Sequence, residues 1–141
     1  MIIFREKGIE TVYVYPHGVS GRKTTVYELQ AEDIDSVVSD ELEYGNYRLG
    51  ILDSQKQFWV FYVGRSDKNL NKRLHDHIDE ELFEKIRAEN IIYFDFNTAK
   101  DEKDAFQREC DDYHTFKSKF LLNKNHPDRP NGTSYQCPYC G

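Results

Sequence analysis

Alternating apolar and polar positions mark several strands in the first half of the chain. β-Branched and aromatic residues fill 10–15 and 23–29, on either side of the turn-forming segment PHGVSG, and predict a hairpin. Two further alternating runs, 47–52 and 58–63, are separated by the polar break DSQK and predict a second hairpin. The second of these runs is bulky at both sets of alternating positions, so we expect a central strand that is covered on both faces.

The hydrophobic period changes to that of a helix in three places. Apolar residues at steps of three and four predict a short helix over 31–42. A second helix follows the second hairpin, and either Asn69 or Asp67 is expected to cap it. The run 91–96 predicts a third strand of the core sheet, after which Thr98 is the expected N-cap of a long helix.

The composition is that of one globular domain. The chain has 141 residues, of which 38% are hydrophobic and 31% are charged, with ten Tyr and nine Phe. It has no long apolar run, and the apolar stretch 2–4 is too short for a signal peptide, so we expect a cytoplasmic protein without a membrane segment. In a reducing compartment, three cysteines that include a CxxC pair favour metal or redox chemistry over a structural disulfide.

The charge is unevenly distributed along the chain. A net charge of −6 argues at first against a nucleic-acid partner. However, residues 26–44 contain seven carboxylates and no Lys or Arg, whereas Lys and Arg are concentrated in 65–77 and again in 117–129. One face of the protein can therefore be positive, although the basic clusters could equally be ordinary solvated surface.

Several motifs in order make residues 45–125 resemble the GIY-YIG nuclease family. These motifs are Gly45-Asn46-Tyr47, Tyr62-Val63-Gly64, Arg73 and His77 on one helix, Glu109 on a later helix, and an asparagine after it. The resemblance implies an α+β fold with a small antiparallel three-stranded core sheet flanked by helices, in agreement with the predicted elements. Residues 1–44 would then add an N-terminal β-hairpin and an acidic segment, and 126–141 a CPYC tail, to a single domain over 1–141. Asn46 departs from the family pattern, which has an apolar residue there, and a core position tolerates an amide poorly unless it is paired.

The resemblance also implies an endonuclease that hydrolyses phosphodiester bonds in DNA with one Mg²⁺ or Mn²⁺. Such hydrolysis needs a group that handles the proton of the attacking water, cations that offset phosphate charge, and a carboxylate that holds the metal. The catalytic residues that it implies are Tyr47, Tyr62, Arg73, His77, Glu109 and Asn123, with Asn125 as a competitor for the last role. Glu109 is the implied metal ligand. The expected substrate-binding residues are Gly64, Arg65, Lys68 and Lys72.

Each of these side chains also has a purely structural interpretation. Alone, Tyr47 and Tyr62 would be core aromatics, and Arg73 would be a solvated helix charge. Together they favour chemistry, with one phenol as a base or proton relay, Arg73 on a phosphate oxygen, and His77 orienting a tyrosine from the same helix face. The alternatives are a module that has lost cleavage but still binds nucleic acid or protein, and an adaptor that uses the acidic segment 26–44.

The CPYC tail predicts a structural zinc site. Cys137 and Cys140 supply two of the four ligands that zinc takes. Cys110 and His114, four residues apart on one helix face, can supply the other two, and His126 competes for the fourth position. Alternatively, Cys110 is a small core residue, and the tail pair is a free dithiol or binds metal between chains. The predicted zinc would hold the tail against the helix that carries the implied Mg²⁺ ligand.

Overall fold

The protein folds around a closed five-stranded β-barrel, as seen in a computed structural model that describes residues 8–140. The strands are β1 (Ile9–Tyr15), β2 (Gly18–Glu28), β3 (Gly45–Leu52), β4 (Phe58–Ser66) and β5 (Tyr93–Thr98). Their order around the barrel is β1-β2-β5-β3-β4, and β4 closes it against β1. The β1–β4 pairing is parallel, and the other four pairings are antiparallel.

Four helices pack around the barrel. They are α1 (Ala31–Val37), α2 (Leu70–Asp76), α3 (Glu84–Glu89), which follows a 3₁₀ turn, and α4 (Glu102–Phe116). Of the two predicted caps of α2, Asn69 rather than Asp67 is the one used: its side chain accepts a hydrogen bond from Lys72 N at 3.0 Å. The predicted cap at Thr98 is wrong, since β5 extends through that residue and Asp101 caps α4. None of the helices in residues 8–140 has the length and apolar character needed to span a membrane.

The prediction of an open three-stranded sheet with a separate N-terminal hairpin is wrong. Strands β4, β3 and β5 are adjacent and antiparallel, but the β1–β2 hairpin joins their two outer edges and closes a mixed barrel. Strand β2 pairs with β5 at Tyr27 and Phe94, and β1 pairs with β4 at Tyr13 and Phe58. The physical reason is that an open sheet leaves backbone N–H and C=O groups unpaired at both edges, and this hairpin satisfies both.

Strand β4 lies between two apolar clusters, so the prediction that it is covered on both faces is confirmed. Phe61 belongs to a cluster that includes Ile34 of α1 and Leu74 of α2. Phe58 and Val60 belong to a second cluster, which β1 and α4 also build. Close packing on both faces fixes the position of β4. The strand leads directly into the loop before α2.

A buried ionic network crosses the barrel. Arg48 of β3 is 3% exposed, and its Nε lies 2.5 Å from Asp95 Oδ1 of β5. Its Nη1 lies 2.7 Å from Asp112 Oδ2 of α4. Asp95 also accepts hydrogen bonds from Thr24 of β2, at 2.6 Å, and from the hydroxyl of Tyr13 of β1. The network therefore connects four of the five strands with α4.

We expect the substitution Arg48→Met to lower the free energy of unfolding by about 3–5 kcal/mol, because it leaves two buried carboxylates without their cation. Urea unfolding followed by circular dichroism measures the loss. Arg108→Met is the matched control, since Arg108 is half-exposed and pairs with Asp104 at the surface, where an ion pair contributes about 0–1 kcal/mol. Equal losses in the two variants would contradict the importance of the network.

Candidate catalytic cleft

An open cleft with a volume of about 500 Å³ lies between β4, α2 and α4. Tyr62 of β4, Arg73 of α2 and Glu109 of α4 all line it, although they are far apart in the sequence. The four residues predicted to bind substrate line it as well, namely Gly64, Arg65, Lys68 and Lys72. The structure thus brings seven of the implied site residues to one concave surface.

Tyr47 is completely buried and does not belong to the cleft wall. A carboxylate only accepts, so His77 Nδ1–H donates to Glu80, which leaves Nε2 to accept from the Tyr47 hydroxyl at 2.6 Å. Burial raises the pKa of Tyr47 above its ordinary value, although the nearby Arg73 guanidinium opposes the shift. Tyr47 and His77 therefore form a neutral, hydrogen-bonded support behind the residues that face the cleft.

Tyr62 is the phenol that substrate can reach. It is half-buried, and its ring packs edge-on against His77 at 5.3 Å and against Phe83 at 5.3 Å. Burial raises the pKa of Tyr62, and Arg73 works against that shift. At neutral pH the hydroxyl is therefore protonated, and it can donate a hydrogen bond into the cleft.

Gly64 allows Tyr47 to pack directly against β4. The two residues are paired across β3 and β4. A Cβ atom at position 64 would lie 2.3 Å from both Cζ and the hydroxyl oxygen of Tyr47, which is closer than such atoms can approach. Gly64, the last residue of the second motif, is thus required because the ring of Tyr47, the last residue of the first motif, packs against it.

Glu109 is held at the cleft wall by Arg65. It is 9% exposed, and its Oε1 lies 2.6 Å from Arg65 Nη1. Burial raises the pKa of Glu109 to about 7, although the Arg65 guanidinium counteracts this rise. Mg²⁺ is commonly bound through one or two carboxylates together with waters and phosphate oxygens, so a single carboxylate at an open cleft fits it. The guanidinium of Arg65 would compete with the metal ion for that carboxylate.

The amide of Asn46 is fully paired, which accounts for its departure from the family pattern. Its Nδ2 donates to the carbonyl oxygen of Ala105 at 2.8 Å, and its Oδ1 accepts from Asn97 Nδ2 at 3.3 Å. The side chain is completely buried between β3 and α4. Because the desolvated amide keeps its hydrogen bonds, the position tolerates it, and Asn46 fixes the start of α4 against β3.

Asn123 does not line the cleft but binds the backbone of β4. Its Oδ1 accepts from Val63 N at 2.8 Å, and its Nδ2 donates to Val63 O at 2.8 Å. Val63 lies between Tyr62 and Gly64, so Asn123 holds the second motif in position without lining the cleft. The competing residue, Asn125, is exposed.

The tail brings four possible metal ligands together beside the end of α4. The ligand atoms of His114, His126, Cys137 and Cys140 all lie within 4.8 Å of one another. Cys110 is not in this group; it is completely buried in a small apolar cluster that also contains Cys137. The structure thus places His126, rather than Cys110, with the other three residues.

Several residues in or beside the cleft were not predicted as site residues from the sequence, and two of them affect its geometry. Glu80 orients His77, and its position three residues later at a helix end was the available signal. Asp128 lines the cleft from the segment after α4. No local pattern could have placed Asp128 there, because that segment has irregular structure.

No protein-family model, curated protein or solved structure gives a significant match to this chain. The comparisons therefore neither support nor oppose the resemblance that the motifs carry. The interpretation of the cleft rests on its residues and their geometry.

We expect Gly64→Ala to destabilise the protein by about 1–3 kcal/mol, because the new methyl group must displace the buried Tyr47 ring. Thermal unfolding measures the effect. Gly21→Ala is the control, since a Cβ there meets nothing within 4 Å and the change should stay within about 0.5 kcal/mol. A Gly64→Ala protein as stable as the control would mean that Tyr47 can move without cost.

The free energy of unfolding should decrease as the pH is lowered, in part because of His77. Burial lowers the pKa of His77 below its ordinary value, and the Glu80 carboxylate opposes this effect. As the pH falls, the unfolded chain therefore binds a proton before the folded protein does, so stability is lost below the ordinary histidine pKa of about 6.5. The charged or titratable groups around His77 are Tyr47, Tyr62, Arg73, Asp76 and Glu80.

Melting temperatures recorded between about pH 7 and pH 5 test this expectation, because the wild-type curve should fall more steeply than that of His77→Gln. His17→Gln is the control, since His17 is exposed in the turn before β2, and it should keep the wild-type slope. Parallel curves for wild type and His77→Gln would contradict the expectation.

Proposed function

We propose that this protein is a metal-dependent endonuclease that hydrolyses phosphodiester bonds in DNA. The observation that carries the proposal is the convergence of Tyr62, Arg73 and Glu109 on one open cleft. They are the phenol, the phosphate-binding cation and the carboxylate that metal-assisted hydrolysis requires. Three elements contribute one group each, and an open groove can admit an extended polymer.

The charges that line the cleft are compatible with a phosphate group that binds together with a metal ion. Four cations line the cleft, Arg65, Lys68, Lys72 and Arg73, and so do four carboxylates, Asp67, Asp76, Glu109 and Asp128. The two sets nearly balance. A bound divalent ion would make the surface net positive, because an ion is the largest local charge in such a site.

Arg73 would bind the phosphate. It is exposed on α2, with the buried Tyr47 and His77 packed behind it. Its planar guanidinium offers several donors to a phosphate oxygen as negative charge grows there. Tyr62, at the same wall, would orient the attacking water through its hydroxyl.

Glu109 would hold the Mg²⁺ or Mn²⁺, and a metal bound there would stabilise negative charge on the phosphate oxygens. Arg65 fixes the direction of the carboxylate through Oε1. Among residues 8–140, the structure gives Oε2 no hydrogen-bond partner, so this oxygen is the one available for a metal.

The Arg65–Glu109 ion pair also favours a second candidate, a module that binds nucleic acid without cleaving it. In that case Arg65 satisfies Glu109 permanently, in place of a metal. The remaining cations of the cleft would still bind phosphates. Affinity for DNA would then fall steeply with salt concentration, as counterion release requires.

Cleavage of supercoiled plasmid DNA in the presence of Mg²⁺ or Mn²⁺ tests the proposal. We expect the wild-type protein to nick the plasmid, and Arg73→Ala or Glu109→Gln to slow nicking by about 10²–10³-fold, as the loss of a group that stabilises transition-state charge does. Arg108→Ala removes a half-exposed arginine that does not line the cleft and should keep the wild-type rate.

The other outcomes separate the candidates. Equal nicking by all variants would overturn the enzyme proposal, because the activity would not depend on the cleft. An absence of nicking, combined with salt-dependent binding that Arg73→Ala weakens, would establish the second candidate. An absence of both nicking and salt-dependent DNA binding would overturn both and favour a protein-binding adaptor.

A further inference from the structure

Four side chains after residue 113 have the chemistry and spacing of a zinc site. They are the imidazoles of His114 and His126 and the thiols of Cys137 and Cys140, which together form a Cys₂His₂ set. The Sγ atom of Cys140 lies 3.3 Å from His114 Nε2 and 3.5 Å from His126 Nε2. Neighbouring ligands of tetrahedral zinc, with its usual Zn–N and Zn–S bond lengths, are separated by about 3.3–3.8 Å. The two separations from Cys140 match this geometry, and all four ligand atoms lie within 4.8 Å of one another.

The backbone already holds the ligands in place. His114 lies in the last turn of α4, and Cys137 and Cys140 are joined by a turn in which Cys140 N donates to Cys137 O at 3.3 Å. His126 Nδ1 donates to the carbonyl oxygen of Pro127 at 2.9 Å. That hydrogen bond places the proton on Nδ1 and leaves Nε2, the atom beside Cys140, free to bind a metal.

Cys110 has a different role from the four ligands. It is completely buried on the apolar side of α4 and packs with Phe106 and Cys137. A buried thiol in such surroundings behaves as a small hydrophobe. Cys110 thus fills the small apolar core beside Cys137, while His126 completes the ligand set.

We propose that His114, His126, Cys137 and Cys140 bind a structural Zn²⁺ that holds the carboxy-terminal segment against α4. Among the described residues after α4, 117–140, none belongs to a helix or strand, and Leu121, Pro130 and Cys137 are the buried ones. A segment with so little core of its own is the kind that a metal stabilises outright.

The same zinc would shape one wall of the cleft. Asp128, two residues after His126, lines the cleft together with groups of α2 and β4. Fastening His126 to α4 fixes the position of this carboxylate. The metal site itself does not depend on the proposed nuclease function, because it is built from residues outside the cleft.

The metal content of the purified full-length protein tests the proposal. Protein produced in zinc-supplemented medium should contain about one zinc ion per chain, as tetrahedral Cys₂His₂ sites do. His126→Ala should lower this stoichiometry at least several-fold, whereas Cys110→Ala, the matched control, should keep it. A reversed pattern, in which Cys110→Ala loses zinc and His126→Ala keeps it, would overturn the ligand set.

Cobalt substitution of the wild-type protein avoids the risk that a variant fails to fold. Co²⁺ should give the visible absorption of a tetrahedral site, together with a thiolate-to-metal band, and added Zn²⁺ should abolish both. A wild-type protein that contains no zinc and gives no such spectrum would overturn the proposal. Both measurements are made without DNA, so failure of the zinc site and failure of the nuclease proposal remain distinguishable.

Discussion

The whole fold depends on one arginine that is buried inside the barrel. Arg48 is a buried cation held between Asp95 and Asp112, and its removal would leave two buried carboxylates without their counterion. Asp95 extends the network to the N-terminal hairpin, and Asp112 extends it to α4. The same network therefore links the N-terminal hairpin to the rest of the barrel and to the helix that carries Glu109.

That arrangement also positions the residues of the candidate site. Neighbouring residues of a strand point to opposite faces, so Arg48 enters the barrel while Tyr47 packs on the side of α2. There His77 and Glu80 fix the Tyr47 hydroxyl, and Gly64 lets its ring lie against β4. The buried layer supports exposed groups that would act on substrate, and such support is what keeps reacting groups in a productive geometry.

The segment after α4 completes the cleft even though it contains no regular structure. Asn123 holds it to the backbone of β4, in the manner of an added strand. The proposed zinc would hold its far end, through Cys137 and Cys140, to His114 of α4. Between these two attachments the chain brings Asp128 to the cleft, so the wall depends on side-chain bonds and metal rather than on core packing.

Local patterns in the sequence determined the strands, two candidates for the cap of α2 and the groups able to do chemistry, because periodicity and capping depend on residues only a few positions apart. Only the tertiary structure decided that the N-terminal hairpin closes a barrel, since periodicity shows that a strand buries a face and not which distant edge it joins. It also decided that Asn46 finds partners on α4 and β5, and that His126 rather than Cys110 joins the cysteine pair. In each case the partner comes from a distant part of the chain, and the folded backbone alone brings the two together.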